Sequence, residues 1–146
     1  MRIRTVVSCT ICFVIAGCLS SITQAQQPST TNDRVYSNAQ AERGHTLYQK
    51  ECASCHTDEL TGQGQTPPLA GTEFFQDWNG LTLYDLFDRT QKTMPADHPG
   101  SLGPAETADV LAWILKFNKF AAGKNDLPAN PDALKKIRFE AAKLSK

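Results

Sequence analysis

The sequence predicts a small all-α domain, three main helices with loops between them, on three observations. A long segment near residue 110 and another before residue 52 repeat positions at helical spacing, a shorter one after Thr82 carries a helix-start signal, and no run of alternating residues suggests strands. The chain of 146 residues is long enough for one domain.

The first 25 residues read as an export segment. Arg2 and Arg4 precede an apolar run from Val6 to Leu19, shorter than the roughly 20 residues a spanning helix needs. Thr23 and Ala25 make a small-residue cleavage site, so the mature chain is expected to begin at Gln26. Ile15-Ala16-Gly17-Cys18 offers a second cut, with lipidation of Cys18 as the one route to a membrane anchor. Both place the protein beyond the cytoplasmic membrane, in the periplasm or exported.

Residues 26–38 are polar and turn-rich and are expected to form a flexible leader. A helix follows from about Ala39 to Cys52, with Ala41, Gly44, His45, Tyr48 and Cys52 along one side. Gly62, Gly64, Pro67 and Pro68 mark a loop, and a short turn is expected around Glu73 to Trp78. The next helix is expected from Leu83 to Arg89, capped by Thr82, with Asp85 three residues on. Residues 93–100 form a second constrained loop. The clearest helix runs from Pro104 to about Lys119, where Val110, Trp113, Ile114 and Phe117 make an apolar stripe. Residues 121–146 are expected to be an extension with a short amphipathic helix, from Asp132 to about Lys143.

Fifteen basic residues balance fifteen acidic ones, and loss of residues 1–25 leaves a formal charge of −2. That is no nucleic-acid footprint. Of five cysteines only Cys52 and Cys55 lie in the expected domain, too close together to staple a fold.

Cys52-Ala53-Ser54-Cys55-His56 is the Cys-x-x-Cys-His attachment signature of haem c. Two thiols three residues apart on a helix project from one side, each able to form a thioether, and the adjacent His56 can reach the iron. A zinc site would want a second ligand pair, a thioredoxin-like pair a preceding strand, and a disulfide would leave His56 unexplained. Cys9 and Cys12 mimic half the motif, but Phe13 stands where His is required. Export and motif therefore point to one covalent haem. Met94 is the one methionine left after Met1, and it sits before Pro95 in a loop suited to supply the sixth ligand. His98 is the competitor, and His45 is expected to be a surface or helix-packing residue.

Through AERGHTLYQKECASCH, TPPLAG, TMPADHPGSL and ETADVLAWILKFN, residues 39–120 resemble the class I cytochromes c, most closely the small monohaem members associated with pyrroloquinoline-quinone dehydrogenases. The resemblance implies the small class I cytochrome c fold around one haem. It implies that Pro67 offers its carbonyl to His56, and that Gly44 and Trp113 mark the crossing of the first and last helices. Thr66 and Gly103 depart from the pattern, Gly103 standing where Ser or Thr usually caps the last helix. The implied role is that of an electron carrier and not an enzyme. It would take single electrons from a quinoprotein-type dehydrogenase and pass them toward a terminal oxidase or another cytochrome, as a monomer. A haem enzyme or gas sensor with a labile sixth ligand is the alternative. Pro67, Pro68, Leu69, Phe74, Phe75, Trp78, Leu86, Phe87 and Trp113 are the apolar residues available to line a haem pocket.

Overall fold

The computed structural model describes residues 30–142. The export segment, Cys18 and the start of the leader lie outside the described residues, as does Lys143. Six helices run in the order α1 (Asn38–Glu51), α2 (Ala53–His56), α3 (Gly71–Trp78), α4 (Leu83–Thr93), α5 (Pro104–Phe117) and α6 (Pro131–Leu134). Among the described residues no strand forms; three isolated bridges are the only β-type pairings. The architecture is all-α, as the sequence predicts.

Helix α1 begins where Ser37 accepts from the Gln40 amide, and it buries Gln40, Ala41, Gly44 and Tyr48 along one stripe. That stripe crosses α5, which buries Val110, Leu111, Ile114 and Leu115. Gly44 is required there: a Cβ would lie 1.8 Å from the Asp109 carbonyl oxygen. Trp113 closes the crossing by stacking on His45, with ring centroids 4.1 Å apart. Arg43 ties the same helices from outside, with Nε 2.9 Å from Asp109 and Nη2 2.8 Å from Asp126.

Helix α4 is a turn longer than the sequence suggested. Thr82 and Asp85 form a complete capping box, the Thr82 amide donating to Asp85 Oδ2 at 2.8 Å. Lys92 pairs with Asp88 one turn back, extending the helix to the residue before Met94-Pro95. At α5, Gly103 has no side chain to cap with, and the Glu106 carboxylate accepts from its amide at 2.8 Å instead.

Two expectations at the chain ends need correction. Residues 30–38 are not a flexible leader: Val35 and Tyr36 are buried, the Tyr36 hydroxyl donates to the Phe120 carbonyl at 2.6 Å, and Gly123 donates to the Tyr36 carbonyl at 2.6 Å. The helix of the extension also stops earlier than expected, at Leu134. After the four-residue α6, residues 137–139 run extended beside 80–83, with Leu83 donating to Ile137, Gly80 to Phe139 and Phe139 to Leu81. Ile137 and Phe139 point inward and Arg138 outward, a period of two rather than 3.6. Phe139, 0% exposed, meets Phe74, Phe75 and Phe120. Burial of such a ring contributes about 1.5–3 kcal/mol.

Candidate haem site

Helix α1 delivers Cys52 as its C-cap, and the chain turns at once into the single turn of α2, which holds Cys55 and His56. Both cysteines are free thiols, Cys52 half-buried and Cys55 exposed. Burial pushes the Cys52 thiol up to about 11, so it is protonated at neutral pH.

His56 is 7% exposed. Its Nδ1 lies 3.0 Å from the Pro67 carbonyl oxygen. A carbonyl only accepts, so Nδ1 carries the proton and Nε2 is left with its lone pair. Burial lowers the imidazole pKa, which the Pro67 contact partly offsets, and the ring stays neutral at physiological pH. The loop that brings Pro67 here is anchored by Gly62 donating to the His56 carbonyl at 3.0 Å and Gln63 donating to the Ser54 carbonyl at 2.9 Å.

Sequence reasoning placed Tyr48 on the helix face but missed its hydroxyl. That group donates to the Thr57 carbonyl at 2.7 Å, while the Tyr48 carbonyl accepts from the Cys52 amide at 2.9 Å. Thr57, next to His56, has φ 63 and ψ 164, a region populated almost entirely by glycine. No sequence pattern marks this contact, since any aromatic would fill the packing position. Asn118 was missed too: it accepts from the Gly71 amide at 3.2 Å and donates to the Leu69 carbonyl at 2.9 Å, fastening α5 to the segment before α3.

Met94 lies at the end of α4 in extended backbone, half-buried, ahead of a cis bond to Pro95. His98, on the same loop, is exposed and pairs with Asp97 at 3.1 Å. Phe74 and Phe75, offered by the sequence to a haem pocket, have their rings against Phe139, with Phe75 also meeting Phe120. Leu86 and Phe87 are core residues of α4.

Among the described residues no three His, Cys, Asp or Glu side chains gather closely enough to hold a metal ion by themselves. The donor set instead fits haem: two unpaired thiols for two thioethers, and one imidazole with its outer nitrogen already bonded.

A helical fold that presents this donor set defines a c-type cytochrome domain. Residues 39–114, more than half of the chain, match the family described as cytochrome c oxidase, cbb3-type, subunit III, and the chain belongs to that family. Its all-α fold agrees with the class I cytochrome c architecture, and its domain is that of a haem electron-transfer protein. Comparison with curated proteins and with solved structures finds no match.

Proposed function

We propose that this chain is a monohaem cytochrome carrying single electrons outside the cytoplasmic membrane. Haem would be held covalently by Cys52 and Cys55, with His56 and Met94 as its axial ligands. The observation that carries the reading is the His56 Nδ1 contact with Pro67, which leaves Nε2 with its lone pair in a motif whose two cysteines are free thiols. Each thiol can add its S–H across a vinyl double bond to give a thioether. Bound haem supplies a one-electron ferric/ferrous couple. Pro67 holds the imidazole in one tautomer and raises its basicity as a ligand. Met94 stands on a separate, half-buried segment and brings a thioether that favours the reduced state. With His56 and Met94 both holding the iron, no position would be left open for a substrate, and the haem would serve electron exchange. Cys55 is exposed, so the attachment edge is where redox partners would meet it, in small and transient contacts.

The proposed donor is a periplasmic quinoprotein-type dehydrogenase and the acceptor a terminal oxidase or another cytochrome, with the chain acting as a monomer. Export behind residues 1–25 is part of the same proposal, with a membrane anchor only if Cys18 is lipidated; mass spectrometry of the mature N-terminus separates the two. The test of attachment is a denaturing gel stained for haem. Wild type should retain haem on the polypeptide, and Cys52→Ala with Cys55→Ala should lose it.

A second reading draws on the family description, which names an oxidase subunit. The chain would then relay electrons inside a membrane oxidase. Among the described residues no helix is long and apolar enough to cross a membrane, and Leu81 is the one exposed large hydrophobic. Co-purification with a membrane oxidase through detergent and salt would favour this reading over a free shuttle.

A further inference from the structure

We propose that Tyr48 and Thr57 form a clamp across the haem motif and act as positioning residues for His56. The inference rests on the haem reading above and concerns what holds the ring in place.

Tyr48 grips both ends of the motif. Its carbonyl accepts from the Cys52 amide at 2.9 Å, and its hydroxyl donates to the Thr57 carbonyl at 2.7 Å. The side chain is 0% exposed and cannot trade this bond for water. Burial also raises the Tyr48 pKa, which keeps the hydroxyl protonated as a donor.

Thr57 is where the clamp is needed. A threonine at φ 63 and ψ 164 is strained, because its branched Cβ crowds the backbone in a region suited to glycine. Such a conformation persists only when neighbours over-determine it. Here they do. The Thr57 amide donates to Ala53 at 2.9 Å, its Oγ1 lies 2.9 Å from Thr61 Oγ1, and its carbonyl accepts from Tyr48 and, at 3.3 Å, from Leu60. The peptide joining His56 to Thr57 is thus held on both sides, with Gly62 donating to the His56 carbonyl at 3.0 Å. The Pro67 contact fixes the ring from its tip, and the clamp fixes the backbone from which the ring projects.

Packing alone would make Tyr48→Phe nearly silent at the ligand, since the ring remains. Positioning makes a different demand. Without the hydroxyl, Thr57 can relax toward an ordinary conformation and carry His56 with it. A glycine at 57 accepts the native angles without strain, so the hydroxyl should matter less in that background.

The test uses the exported full chain as wild type, Tyr48→Phe, Thr57→Gly and the double variant. It reads the ferric electron paramagnetic resonance spectrum, the midpoint potential and the melting temperature. The clamp requires Tyr48→Phe to broaden or shift the low-spin signals and move the potential, and Tyr48→Phe/Thr57→Gly to restore both toward wild type. If Tyr48→Phe loses haem altogether, the double variant should regain it, and failure to do so overturns the clamp. A lower melting temperature with unchanged spectrum and potential also overturns it, as does an equal shift in both backgrounds. Those outcomes leave the haem reading standing. A wild-type chain exported without haem removes that reading, and the clamp with it.

Discussion

The Phe139 ring stands edge-on to Phe74, their centroids 5.6 Å apart and their planes at 87°. This contact joins the extension to α3 and makes residues beyond 120 part of the single core. Phe139→Ala should therefore destabilise the protein by about 3–5 kcal/mol, the usual cost of removing a fully buried aromatic. Denaturant unfolding of the two proteins measures it. A loss below about 1 kcal/mol, of the order of a surface change, would show that the extension is not part of the core.

Gly44→Ala tests the helix crossing. The new Cβ would meet the Asp109 carbonyl at 1.8 Å, so α1 and α5 must part. Overpacking of this kind costs about 1–3 kcal/mol, and backbone as the obstacle places the change at the upper end. The melting temperature should fall with helix content retained below the transition.

Asp126 gives a pH dependence. The Ser37 hydroxyl, then the Arg43 guanidinium, hold its carboxyl below the ordinary range. A carboxylate depressed in the folded state contributes stability that is full above its unfolded pKa of about 3.9 and is lost as pH falls through the lower folded value. Melting curves of wild type and Asp126→Asn should differ at pH 7, and the gap should start to close below about pH 4 and vanish once pH passes the lower folded value. A gap that persists in acid would assign the effect to shape rather than charge.

Met94 and His98 separate the two possible sixth ligands. His98→Ala should leave the spectrum unchanged, because that side chain is exposed and engaged with Asp97. Met94→Ala should abolish the methionine-ligated spectrum and lower the potential. Retention of that spectrum in Met94→Ala would exclude Met94.

The motif residues were legible because Cys52, Cys55 and His56 are set by local spacing on one turn. Gly44 and Trp113 were legible through the family resemblance. Long-range contacts were not. Phe139 pairs with a segment some sixty residues away, and the spacing of Leu134, Ile137 and Phe139 fits a helix loosely enough to hide the switch to a period of two. Tyr36 sits in a polar stretch whose composition suggested disorder, yet its ring is buried and its hydroxyl bonded to Phe120. The Tyr48 hydroxyl bond depends on where the Thr57 carbonyl points, and the strain at Thr57 on its backbone angles, neither of which composition and periodicity encode.

The central claim is most directly tested by the optical spectrum of the exported protein, oxidised and reduced, with carbon monoxide added to the reduced form. Ligation by His56 and Met94 in a dedicated electron carrier requires a low-spin haem c spectrum with a methionine-to-ferric-iron band, unmoved by carbon monoxide. A prompt shift with carbon monoxide would contradict it, because an open or labile sixth position belongs to a sensor or an enzyme.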